Sequence, residues 1–325
     1  MVSGTAVVIG LSAVVVAVRD GEAAVLTVAP QGAGLPGLPF GPFDPAGHRT
    51  FELALRAFVT EQTGFELGYV EQLYTFGDQG RDAPLADVGA GAARVVSVGY
   101  LALAPSPPEH AAPDTGWSSW SRFFPWEDWR AGRPAVIDAA IAPALAAWAD
   151  QAPAAEAERR RARARHLFAL DEAAWNEERV LDRYELLYEA GLAAEAARDR
   201  ALAAGAHVPV AAAPVPGLGQ PMVSDHRRIL ATGLGRLRGK LKYRPVVFEL
   251  TRPEFTLSEL QKTVEAISGV PLHKQNFRRA VERTGLVEPL GRLDLDTGGR
   301  PAELFRFERE RAAAGPALGL PLPLR

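Results

Sequence analysis

The segment "HKQNFRRAVERTGL", residues 273–286, carries the side-chain types that read duplex nucleic acid. As a helix burying Phe277, Ala280, Val281 and Thr284, it turns Gln275, Arg278, Arg279 and Glu282 outward, with Lys274, Asn276 and Arg283 on the flanks. Arginine pairs with guanine edges and glutamine or asparagine with adenine, while lysine and arginine neutralise phosphate. Arg300, in the turn "DTGGRP", is expected at a wing tip within reach of the backbone or minor groove. Other chemistries find little support. The chain has no cysteine, which excludes disulfides, thiolate metal sites and cysteine catalysis and fits a reducing cytoplasm. The six histidines are scattered without metal-ligand spacing, and no Ser/His/Asp constellation stands out.

The elements around this helix follow a recognisable order. "FTLSELQKTVEAISG" opens with Thr256 and Glu259 in capping-box spacing, and Leu257, Leu260, Val264 and Ile267 form its buried stripe. Helix, short turn, helix and then β-like segments is the order of a winged helix-turn-helix. A further helix over residues 225–240 is expected at the head of this module. Charge supports a polyanion partner. Residues 222–311 carry 18 Lys+Arg against 12 Asp+Glu, whereas residues 1–221 carry 17 Arg, no Lys and 27 Asp+Glu. A helical protein–protein module with a solvated basic face is the alternative.

Upstream, residues 7–18 and 23–28 read as strands joined by "RDGE", residues 69–76 and 95–103 as further strands, and residues 50–62 as a helix ended by Gly64. The apolar run over residues 7–18 is shorter than the ~20 residues a membrane helix needs. This pattern implies an α+β or α/β sandwich. Residues 105–134 read as a Trp- and Pro-rich loop, with Trp117, Trp120, Trp126 and Trp129 expected to pack onto the sandwich. Residues 135–204 read as three helices, and "HVPVAAAPVPGLGQP" as a linker. "RRRARAR", residues 159–165, is read as a solvated face because acidic residues flank it closely. The boundaries expected are 1–104, 105–221, 222–311 and a tail over 312–325.

The helix over residues 50–62 has the rhythm of a signature of phosphate-hydrolysing enzymes. Nudix pyrophosphohydrolases carry G-x5-E-x7-R-E-U-x-E-E-x-G-U, whose glutamates hold divalent metal against a diphosphate. "AFVTEQTGF" resembles the end of that box, with Ala57 at the Arg position, Phe58 at a Glu position and Glu61–Gln62 at the last pair. Upstream, Arg49 stands at a Glu position and Phe43 at the Gly position. One of the four glutamates survives, so metal binding and hydrolysis should be lost.

A degenerate Nudix box with a C-terminal winged helix resembles the Nudix-related transcriptional regulators (NrtR-like). The stretches that carry the likeness are "YVEQLYTFGDQGRD", "RVVSVGYLAL", "LRGKLKYRPVVFELTRPEFTLSELQKTVEAISGVPLHKQNFRRAVERTGLVEP" and "GGRPAELFRF". The segment 105–220 departs from the simpler members and is similar to the insert-bearing, NadQ-type branch. The resemblance implies a fold of α+β class: a Nudix-like α/β/α sandwich, a helical insert and a C-terminal winged helix-turn-helix. It implies a cytoplasmic homodimer that represses NAD-metabolism genes by binding double-stranded operator DNA. The effector it implies is ADP-ribose, NAD or ATP, with no cofactor required and no membrane partner. Arg49, Glu61, Phe76 and Arg94 are the candidate effector contacts, the arginines for diphosphate and the aromatic ring for adenine. An active hydrolase with acids outside the box, and a non-DNA adaptor, are the alternatives.

Overall fold

The computed structural model describes residues 7–29, 34–78, 94–105, 114–205, 215–295, 301–314 and 319. Strand β1 (Val7–Arg19) is the hub of a six-stranded mixed sheet. It turns into β2 (Glu22–Val28) through Asp20 and Gly21, both at positive φ (52° and 75°), the primed turn that suits twisted strands. Its first half also pairs with β3 (Phe40–Pro42), and from Val7 to Ala17 it runs parallel to β5 (Arg94–Ala104). β4 (Tyr69–Phe76) closes one edge, and β6 (Thr115–Ser119) pairs with β2 at the other. β6 lies inside the Trp-rich segment that the sequence analysis takes as loop. The sequence "TGWSS" has no apolar alternation to betray it, because every residue of the strand is half-buried.

Alternation along β1 separates two cores. Leu11, Ala13 and Val15 meet Val98, Tyr100 and Ala102 under helix α1 (Phe51–Thr63). Thr50 caps α1, its hydroxyl accepting from Leu53 N–H (3.2 Å), and Gly64 ends it at φ 70°. Val14 and Val16 face the other way, with Leu101 and Leu103, into a larger core.

Four helices build the insert: α2 (Ala142–Asp150), α3 (Ala154–Phe168), α4 (Val180–Glu189) and α5 (Ala194–Ala203). The sequence reading gave three, because uniform Ala/Arg/Glu composition hides the breaks between neighbouring helices. Trp120 and Trp126 are buried in the larger core, Trp129 stacks on Trp175 (4.4 Å), and Trp117 meets Phe65 on the α1 side.

Helix α6 (His226–Leu241) is the second outer layer of the sandwich. Ile229, Leu230, Leu234, Leu237 and Leu241 are buried, and a Cβ on Gly233 would lie 2.9 Å from Val14, so the helix lies directly on the sheet. The sequence reading grouped this helix with the C-terminal module. An apolar stripe shows which face is buried but not against what. The basic charge of α6 also turns inward. Arg227 pairs with Glu195, Arg228 with Glu185, Arg236 and Lys240 with Glu71, and Arg238 with Glu127. Part of the charge asymmetry is therefore neutralised within the chain rather than offered to a partner.

The C-terminal module holds α7 (Leu257–Ser268), α8 (Lys274–Thr284) and a three-stranded sheet ordered β7 (Glu254–Thr256), β9 (Ala302–Phe307), β8 (Val287–Asp294). A last short helix, α9 (Arg309–Ala314), follows. No helix among the described residues is long and apolar enough to cross a membrane.

Candidate functional site

Helix α7 positions α8. Both arms of the Thr256–Glu259 capping box are present. Gly269, at φ 71°, ends α7, and Glu265 and Gln261 hold the following turn: Glu265 accepts from Leu272 N–H (2.7 Å) and Gln261 donates to the Leu272 carbonyl (2.9 Å). Helix α8 is then anchored by Phe277, Ala280 and Val281, all buried. Its outer face presents Lys274, Gln275, Asn276, Arg279, Glu282 and Arg283, all exposed. Arg278 is half-buried, with its Nε enclosed, so it sits at the edge of this face rather than at its centre. Arg283 Nε donates to the Arg279 carbonyl (3.2 Å). Arg300 lies outside the described residues.

Among the described residues, Lys274, Arg278, Arg279 and Arg283 have no ion-pair partner, whereas Arg252, Arg292, Arg306 and Arg309 of the same module pair with Glu259, Glu254, Glu288 and Glu249. The N-cap of α8, His273, makes no side-chain capping bond, so the first-turn N–H groups and the positive end of the helix dipole remain available to an anion. The arrangement is a cationic, hydrogen-bonding helix face beside a β-sheet wing.

The sandwich candidates are spread out. Arg49 and Glu61 are exposed at opposite ends of α1, roughly 18 Å apart along a helix of this length, and do not form one contact set. Arg94 donates to the Gly77 carbonyl (2.7 Å), which brings it to the end of β4 beside Phe76. Phe76 is 4% exposed, with Tyr74 (5.3 Å) and the Arg228 guanidinium (5.4 Å) against its ring. Its role as an open stacking platform is therefore corrected: the ring belongs to the core beneath α6. The α1 residues compared with that box have packing roles. Gln62 accepts from Phe40 N–H (3.2 Å) and donates to the Phe40 carbonyl (2.6 Å), pinning β3. Phe58 packs over Gly41, where an added Cβ would lie 3.0 Å from its ring. No group of three or more His, Asp or Glu suited to a metal exists among the described residues.

Sequence reasoning missed a buried charge cluster that joins all parts of the chain. Glu127, between β6 and α2, is fully buried and takes a two-point bond from Arg183 of α4, with Nη2 at 2.8 Å, and a further bond from Arg238 of α6. Arg238 also donates to the carbonyls of Glu127 (3.1 Å), Glu177 (2.9 Å) and Ile267 near the end of α7 (2.9 Å). Burial pushes the Arg238 guanidinium below its usual value, against the pull of Glu127. The Gly269 carbonyl accepts from Trp129 N–H (2.6 Å), and a Cβ on Gly269 would lie 2.3 Å from the Glu127 carbonyl. Insert, sandwich and winged helix thus meet at one polar joint that tolerates no side chain at position 269.

Comparison with known proteins fits this geometry. Residues 247–307 match the family described as the NrtR DNA-binding winged helix domain. The ADPR responsive transcriptional repressor NtrR of Acinetobacter baylyi is 40% identical over 83 residues, which is 26% of this chain and 33% of that relative. The match therefore spans about a third of the curated relative's length. Over nearly the whole chain, the fold is similar to Shewanella oneidensis NrtR crystallised with a 27mer DNA: TM-score 0.55, 20% identity, 97% of this chain and 99% of that one. A MutT/nudix family protein from Enterococcus faecalis gives TM-score 0.52, 16% identity, 95% and 89% coverage. The chain therefore shares its overall fold with these two structures, and its C-terminal part matches the NrtR DNA-binding winged helix domain.

Proposed function

We propose that this protein is a transcriptional repressor that binds operator DNA through α8 and is switched by ADP-ribose held in its Nudix-like domain. The observation that carries the reading is the α8 face, whose exposed cations lack the carboxylate partners given to other arginines of the module. ADP-ribose is favoured over NAD or ATP because the curated relative is described as ADPR responsive. Gln62 and Phe58, used for packing at two glutamate positions of the box, support loss of hydrolysis. The targets we infer are genes of NAD metabolism, and the working unit a homodimer whose two α8 helices meet half-sites about one or two DNA turns apart, ~34 Å per turn.

Gln275, Asn276 and Arg279 are assigned to base edges, Arg278 to the margin of the groove, and Lys274 and Arg283 to phosphate. Arg279→Ala is expected to cost about 1–3 kcal/mol on the preferred duplex and to relax one operator position. Lys274→Ala should weaken all duplexes alike and lower the log-affinity against log-salt slope by about one. Affinities across a set of single-base operator variants at several salt concentrations separate the two. Equal losses for Arg279→Ala on every sequence would remove base readout from that residue.

A further inference from the structure

The insert holds a cleft that neither the sandwich nor the winged helix uses. It is open to solvent and measures about 740 Å³ between α3, α4 and the end of α6, a size in the range of small-molecule sites. Cations stand on both walls: Arg163 on α3, Arg179 on the loop before α4 and Lys242 just past α6, with the His166 ring also on α3. Two carboxylates, Glu177 and Asp182, line it with them. Arg163 pairs with Glu189 and Arg179 with Asp182 (3.3 Å), with the two guanidiniums 42% and 58% exposed. Ion pairs this exposed are worth at most about 1 kcal/mol, so a multiply charged anion competes for these cations. Lys242 is more enclosed. Burial opposes its charge, but hydrogen bonds to Glu177 and Glu178 hold its pKa above the ordinary lysine value, so it stays cationic. His166 donates Nδ1–H to the Ala162 carbonyl (2.7 Å), which orients its ring on that wall. The N-cap of α4, Arg179, makes no side-chain capping bond, so the positive end of that helix adds to the same wall.

The chemistry of the ligand follows from what the cleft lacks. Trp175 lines it, but Trp129 stacks on that ring (4.4 Å) and the Arg183 guanidinium lies 3.8 Å from its centroid. With the ring engaged by its own neighbours, recognition rests on charge rather than on stacking with a base. We propose that the cleft is a second ligand site, for a small phosphate-bearing anion, separate from the Nudix-like domain. Its occupancy reaches the winged helix by a short route. The wall residues Asn176 and Glu177 offer their carbonyls to Arg183 (2.8 Å) and Arg238 (2.9 Å), and Arg238 holds the Ile267 carbonyl of α7. An anion that draws Lys242 from Glu177, or Arg179 from Asp182, pulls on that same loop.

The test needs no DNA, so it stands apart from the repressor reading. The full chain is titrated calorimetrically with inorganic pyrophosphate at constant ionic strength. Saturable binding near one per chain is expected, weakened about tenfold or more in the Arg163→Ala/Arg179→Ala double variant. Both residues are exposed, so the variant should keep the wild-type unfolding midpoint. Absence of saturable binding would overturn the proposal. So would wild-type affinity in a folded double variant, which would place the pyrophosphate elsewhere.

Discussion

Replacing Glu127 with glutamine is expected to lower the unfolding free energy by about 3–5 kcal/mol. The substitution keeps the shape of the side chain and removes only its charge. Arg183 and Arg238, each 0% exposed at the side chain, then lose the carboxylate they share, and no water reaches them to compensate. Their carbonyl partners satisfy N–H groups but not the charge. Urea unfolding measures the loss as a fall in midpoint. A change under about 1 kcal/mol would mean that the carbonyls of Glu127, Glu177 and Ile267 suffice, and that the joint is a hydrogen-bond knot rather than an ion pair. The consequence extends beyond stability, because the same cluster fixes the end of α7 and so the starting point of α8.

Acid is expected to destabilise the protein through His226. Its Nδ1 accepts from Leu38 N–H (3.0 Å), and its ring meets Phe40 edge-on at 5.0 Å. Full burial, and then the charge of Arg198, push its pKa from 6.5 down to about 3. The unfolded chain binds a proton on this ring below about pH 6.5. The folded chain does not until about pH 3. The folded pKa is the lower one, so the contribution of this group is complete above pH ~6.5. It declines as pH falls, by up to about 1.4 kcal/mol per unit, until the folded pKa is reached. His226→Asn keeps an acceptor near Nδ1 and removes the titration. It should cost stability at pH 7 yet flatten the acid limb between about pH 6.5 and 4. An unchanged slope in urea titrations across that range would assign acid sensitivity to other groups.

Where one segment contained its whole cause, the sequence was legible. Thr256, Glu259 and the stripe Leu257, Leu260, Val264 and Ile267 specify α7 and its capping box without outside help, and Thr50 with Gly64 does the same for α1. The Asp20–Gly21 turn specifies the first hairpin. The outward residues of α8 followed from its period, except that Arg278 is tucked in more than the wheel implies. Features whose cause lies far away in the chain were not legible. Glu127 lies 56 residues from Arg183 and 111 from Arg238, and no local pattern links them. The layer to which α6 belongs depends on Val14 lying opposite Gly233. The sequence of α1 did not reveal Gln62 as a clamp on Phe40, because that contact required β3 to be in place. Phe76 shows the same limit: its type suited stacking, and only its neighbours Tyr74 and Arg228 showed both that it is covered and by what.

The central claim is that one chain binds operator DNA and lets an adenine nucleotide alter that binding. Fluorescence anisotropy of labelled duplexes from upstream of NAD-biosynthesis genes and of the protein's own gene tests it most directly. Titrations are run at one fixed salt concentration, with and without ADP-ribose, NAD or ATP. The account predicts sequence-specific binding that ADP-ribose shifts by roughly 5–150-fold, the range of a coupling of about 1–3 kcal/mol. Binding of equal strength to every duplex, unmoved by any of the three nucleotides, would contradict it.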